Sequence, residues 1–145
     1  MTKDELKEYT DAEFRNIRDV LREITAIIKP EKDDYSIRET AVIATFIMNA
    51  YTGMEKVIER TLEFDSLSVK DSPRRHNAIL EKALELGIIP PELYNVLMNY
   101  LSFRQFFCEN YSFELRWEVL KKLAGRLDET VSSLEKEIGE YIQTI

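Results

Sequence analysis

At 145 residues the chain has room for one domain with a sizeable core, and its four glycines and four prolines, against 44% hydrophobic and 32% charged residues, exclude a turn-rich sheet protein. A formal net charge of −7 opposes an extended nucleic-acid surface, since each phosphate contact wants a local cation and the overall field repels polyanions. The single cysteine, Cys108, excludes an internal disulfide or a cysteine-built zinc site and is expected to be a small buried hydrophobe.

Taken in order, the apolar periodicity predicts a first helix from about Lys3 to Ile28, with Phe14, Ile17, Leu21, Ile24 and Ile28 on one stripe and Pro30 stopping it. A second runs from roughly Ser36 to Phe64; its inward row reads Ile37, Ala41, Ala44, Met48, Tyr51, Glu55, Ile58 and Leu62, and it is expected at the centre. Its longest near-apolar run, Ala41 to Tyr51, is far shorter than the roughly 20 residues of a membrane span. With a charged N-terminus unlike a signal, the expectation is a cytoplasmic chain with no membrane contact. A shorter third helix lies between Pro73 and Gly87, with Ile79, Leu80, Ala83 and Leu84 inward, and the Gly87 to Pro91 turn starts the fourth. The fourth ends or bends near Asn110, because Ser112 caps a restart before Leu115. The fifth then runs nearly to the C-terminus on a seam of Leu120, Leu123, Leu127, Val131, Leu134, Ile138, Tyr141 and Ile145.

Five helical patterns with short connections predict an all-α, antiparallel up-and-down bundle of four long helices and one short one, a single domain over residues 1–145. The regular last helix extends past what such a bundle needs, which points to packing on a second copy and a homodimer.

Two charged residues fall on predicted core rows, Glu55 on the second helix and Arg104 on the fourth, where Leu93, Leu97, Tyr100, Arg104, Phe107 and Tyr111 make one stripe. A guanidinium keeps its proton and is costly to bury alone, so Arg104 must meet a carboxylate, a phosphate, a carbonyl or a partner subunit. In one reading it pairs with Glu55 and fixes helix register. In the other, Glu55 orients it toward a phosphate in a polar pocket, with Tyr111 one stripe-length away. The compact basic cluster Arg74-Arg75-His76 opens the third helix, where backbone donors favour anions, and reads either as a nucleotide or phosphate site or as a solvated face. A bundle metal centre would want Glu-x-x-His pairs, and the only histidine, His76, follows Pro73 at that spacing, so no metal and no cofactor are expected.

The segment Phe103-Arg104-Gln105-Phe106-Phe107-Cys108-Glu109-Asn110-Tyr111 resembles the aromatic-flanked Phe-Arg-His-x-x-Arg-His-x-Tyr run of HepT-like proteins in the HEPN superfamily. Tyr51-x-Gly53-x-Glu55 is similar to that family's Tyr-x-Gly-x-Glu segment, and His76 with Ile79 and Leu80 to its Trp-His-x-x-Leu-Leu element, with Arg75 where tryptophan stands. The resemblance covers roughly residues 46 to 120 and implies a helical bundle that dimerises, with an Arg-x4-His-x-Tyr motif at the dimer interface that cleaves RNA without metal. It also implies a minimal nucleotidyltransferase antitoxin as partner, adding adenylate to the motif tyrosine. Arg104 and Tyr111 match the arginine and the tyrosine, whereas Glu109 stands at the catalytic histidine, Gln105 at the preceding histidine and Cys108 at the second arginine.

Metal-free RNA cleavage needs a proton acceptor, a proton donor and positive charge on the developing phosphorane. An ionised glutamate repels the phosphate and has no proton to give, so ribonuclease activity by the family mechanism is expected to be lost or reduced. On an ideal helix Glu109 also lies about 140° around from Arg104, and the two converge only if the helix ends between them or if two protomers contribute them. His76 is an alternative source of imidazole from a neighbouring helix. Three readings stand: a degenerate toxin or regulatory component with a nucleotidyltransferase partner; an active metal-independent endoribonuclease using Arg104, Glu109 and Tyr111; and a structural interaction module. RNA or a nucleotide is the expected ligand, and DNA is not.

Overall fold

Local chemistry sets the helix boundaries in the computed structural model, which describes residues 1–145. Thr2 caps α1 (Lys3–Ile27) by accepting the Glu5 N–H. At the start of α2 (Ile37–Phe64) Ser36 and Glu39 form a reciprocal capping box, each side chain accepting the other's backbone N–H, at 3.1 and 2.8 Å. After α3 (Arg75–Glu85) Gly87 takes φ +73°, the left-handed conformation that lets Ile88 N–H return to Ala83 C=O at 2.9 Å. Proline opens α4 (Pro91–Glu109), and Asn110 closes it, donating to the Phe106 carbonyl from both its backbone N–H (3.0 Å) and its side-chain amide (2.9 Å). A single 3-10 turn, Ser112–Glu114, precedes α5 (Trp117–Thr144). The chain is all-α, with no strand.

The second helix is central, as its two apolar faces require: α2 packs against each of the other four helices, and Ile43, Ile47, Met54, Ile58 and Leu62 are buried along it. The close approach of α1 depends on Gly53. A Cβ at that position would sit 2.6 Å from Ile17 Cγ1, so the crossing exists only because position 53 has no side chain. Tyr100 ties α4 to α5 by donating its hydroxyl to the Leu123 carbonyl at 2.6 Å, and burial pushes its phenol up to about 12.

Three sequence expectations need correction. The far end of α5 is not left over for a second copy. At 28 residues it is about 42 Å long, the same length as α2, and Ile138 and Ile142 are buried while Tyr141 donates to the Asp65 carboxylate at the end of α2. Ser112 starts only the 3-10 turn; α5 begins at Trp117, which packs on Tyr35 at 4.3 Å between ring centroids and donates to Asp33. Cys108 is exposed, because the last buried residue of α4 is Phe103 and the final turns of the helix stand clear of the core.

Candidate functional site

Glu55 lies one helical turn after Tyr51 on α2, so both side chains share a face. That face meets the first turn of α3. The Tyr51 hydroxyl donates to Glu55 Oε2 at 2.8 Å, and His76 Nδ1 lies 2.7 Å from Glu55 Oε1. A carboxylate at 9% exposure thus has both oxygens bonded, one from its own helix and one from the next. Because an ionised carboxylate only accepts, the proton in the second bond belongs to His76 Nδ1, which assigns the tautomer and leaves Nε2 with no protein partner. The imidazole is 34% exposed. Burial first, then the neighbouring Glu55 charge, drives the Tyr51 phenol far above its ordinary range, while the Arg104 charge acts on it in the opposite sense.

Arg104 is half-buried on α4, at the place the stripe assigns it, but no carboxylate lies within 4.0 Å of its guanidinium. The expected Glu55 to Arg104 ion pair is therefore not made. Glu55 instead accepts from the Tyr51 hydroxyl on one oxygen and faces His76 Nδ1 on the other. Glu55 orients an imidazole and a phenol, and Arg104 keeps its donors free.

The basic cluster divides in a way that spacing alone does not reveal. Arg74 reaches Glu81 at 3.4 Å, and Arg75 pairs with Glu59, one turn beyond Glu55. Glu55 and Glu59 together hold the start of α3 against α2, through His76 and Arg75. Of the three residues only His76 enters the arrangement around Glu55; Arg74 and Arg75 each have their charge met by a carboxylate.

The motif end of α4 is different. Glu109 is the last helical residue and is exposed, without an ion-pair partner. Tyr111 is not inward, as the stripe predicted, but 71% exposed, because the helix has ended and its backbone is extended (φ −77°, ψ 149°). It stacks on Phe113, itself 67% exposed, at 5.4 Å between ring centroids. Neither Glu109 nor Tyr111 hydrogen-bonds or ion-pairs with Arg104 within the chain.

One feature escaped the sequence reading. A groove of about 600 Å³ runs between α4 and α5, floored by Phe103, Phe106, Val119 and Leu123, with Lys122 and Arg126 at its edge. It includes neither Arg104 nor His76. The signal that could have found it is the pair Phe106 and Val119, two apolar residues that fall outside the inward rows of their helices.

No curated protein and no solved structure matches the chain. A family model described as HepT-like protein matches residues 42–145, a stretch that takes in most of α2, all of α3, α4 and α5, and the Glu55, His76, Arg104, Glu109 and Tyr111 positions. Over most of its length, and across every segment that carries these side chains, the chain belongs to the HepT-like protein family.

Proposed function

We propose that this HepT-like chain is a degenerate toxin, a regulatory or binding component of a cytoplasmic toxin–antitoxin type system, in which ribonuclease activity is lost or much reduced. Its five helices form an antiparallel up-and-down bundle that pairs as a homodimer, and its protein partner is a minimal nucleotidyltransferase that uses Tyr111 as adenylate acceptor. What carries this reading is the chemistry at the end of α4. Where the family run has an imidazole, the exposed Glu109 offers a carboxylate with no partner, next to a phenol that is 71% exposed.

That pairing favours modification over cleavage. Ionised Glu109 can accept a proton but repels a phosphodiester and cannot protonate a leaving oxygen. Cys108 adds no positive charge where the run has a second arginine, and Arg74 and Arg75 are already held by Glu81 and Glu59. Tyr111, in contrast, stands on an extended segment outside α4 and can enter another protein's active site without any helix unwinding. There its oxygen would attack the α-phosphorus of ATP, the bond to pyrophosphate would break, and the phenolic proton would pass to a base of the partner.

The test is incubation of the purified chain with a mixed RNA pool in the absence of divalent metal, beside Arg104→Ala and Glu109→Ala. All three are expected to leave the RNA intact. Cleavage by the wild type that both variants lose would make this an active metal-independent endoribonuclease instead. In parallel, ATP with a minimal nucleotidyltransferase should add one adenylate by intact mass, and Tyr111→Phe should abolish the addition.

A further inference from the structure

The groove between α4 and α5 plays no part in the arrangement around Glu55 or at Tyr111. Its volume of about 600 Å³ lies within the range of sites that hold small molecules. It extends about 10 Å along α4, from Asn99 to Phe106, and about 15 Å along α5, from Arg116 to Arg126. Phe106 and Val119 stay exposed on its walls, beside the buried Phe103 and the half-buried Leu123. Apolar groups gathered around a depression, rather than scattered singly over a surface, mark a place where an apolar body is taken out of water.

Charge is distributed unevenly along the groove. The two helices run away from the connection between Asn110 and Arg116, and the Tyr100 hydroxyl on the Leu123 carbonyl ties them together further along. At the end near the connection the lining mixes Glu114 and Glu118 with Arg116. At the far end it holds Asn99, Ser102, Lys122 and Arg126, two neutral polar groups and two cations with no carboxylate among them. Neither Lys122 nor Arg126 has a carboxylate within 4.0 Å, although Glu118 precedes Lys122 by one turn in the order that favours an ion pair. Lys122 and Arg126 are themselves one turn apart, and like charges at that spacing repel. An anion seated between them would relieve the repulsion and accept charge-assisted hydrogen bonds from both, bidentate ones from the guanidinium.

The chemistry of the occupant follows from this polarity. Cations at one end only, with an apolar floor beyond them, complement a molecule with one anionic head and one apolar tail. An acidic amphipathic helix carries charges along its length and would bring some of them to Glu114 and Glu118. A neutral or cationic body would leave Lys122 and Arg126 unmatched. We propose that the groove between α4 and α5 binds a single-tailed amphiphilic carboxylate, its head held by Lys122 and Arg126 and its tail laid along Phe103, Phe106, Val119 and Leu123. This goes beyond the reading above, since it uses neither Glu109, Tyr111 nor a protein partner.

Decanoate is the probe, titrated into the full chain well below its micelle-forming concentration and followed by calorimetry. Saturable binding of one molecule per chain is expected, with the negative heat-capacity change of apolar burial and a weaker affinity at high salt. The double variant Lys122→Ala with Arg126→Ala should bind at least about tenfold more weakly, as expected for loss of hydrogen bonds to a charged group. Val119→Asp places a carboxylate on the apolar wall at an exposed position and should abolish measurable binding. Lys136→Ala removes an exposed cation of α5 outside the groove and should change nothing. Circular dichroism checks the fold of each variant, and Arg126→Gln alone serves where the double variant fails to fold. No saturable binding, equal binding of decanol or of decyltrimethylammonium, or an undiminished response in the double variant would overturn the site. Sedimentation of the same samples tests the rival occupant: self-association that Val119→Asp abolishes and decanoate leaves intact would give the groove to a second copy and overturn the proposal, whereas association that decanoate disperses supports it. A failed adenylation of Tyr111 leaves this titration untouched, so the two readings fail separately.

Discussion

Glu55 and Glu109 are both carboxylates inside segments that resemble the family, and their surroundings are opposite. Glu55 is buried in the middle of α2 with an imidazole on one oxygen and a phenol on the other; Glu109 ends a helix whose last buried residue lies six positions back, at Phe103. The comparison separates two uses of a motif. Around Glu55, helix packing holds the side chains in place, because α2 touches all the other helices and both oxygens of the buried carboxylate are bonded. Around Glu109 the chain leaves the core, and side chains are available to other molecules. Fixed geometry belongs to the first region and accessibility to the second.

The largest expected effect breaks the first region at its centre. Glu55→Ala removes the acceptor of the buried Tyr51 hydroxyl and of His76 Nδ1, and it leaves a cavity beside α3. Stranding a buried donor and opening space together cost about 2–4 kcal/mol. Urea unfolding should show that loss as a lowered midpoint. A midpoint equal to that of the wild type would mean that the carboxylate does not organise the junction.

Gly53→Ala sharpens the comparison within the same segment. The new methyl would meet Ile17 Cγ1 at 2.6 Å, and Ile17 is itself buried. Overpacking costs about 1–3 kcal/mol, while the better helix propensity of alanine returns up to about 1 kcal/mol. A net loss of about 1–2 kcal/mol is expected from those two opposing effects. Gly125→Ala is the control, since its Cβ meets nothing within 4 Å on α5, and there the propensity gain of up to about 1 kcal/mol should appear alone. Equal effects at the two glycines would remove the close helix crossing as the reason for Gly53.

How much of this was legible in the sequence follows from what periodicity encodes. It places a residue on a face of a helix, and so it correctly put Glu55 and Arg104 on inward rows, α2 at the centre and the helix end near Asn110. It does not say which neighbour a side chain meets. The partner of Glu55 comes from 21 residues away on a short helix whose docking depends on Glu59 and Arg75 as well, and Arg104 was the wrong choice among the available cations. Tyr111 was misplaced for a related reason: the stripe was extended past the residue at which the helix stops, and beyond that point a step of four carries no information. The end of α5 was misjudged because sequence regularity shows a helix but not the length of its neighbours, and α1 and α2 are long enough to cover it.

The smallest expected effect tests the exposed region. Tyr111 and Phe113 stack on each other and bury little against the rest of the chain, so Tyr111→Ala and Phe113→Ala should each change stability by no more than about 0.5 kcal/mol at low protein concentration. A monomer and a homodimer then differ in what happens as concentration rises. If the aromatic pair seats against a second copy, the wild-type melting temperature climbs with concentration while the variants lose that climb, because association stabilises the folded chain by mass action. If melting of the wild type is independent of concentration and the variants match it throughout, the pair faces solvent or the nucleotidyltransferase, and the proposed homodimer does not use this end of α4.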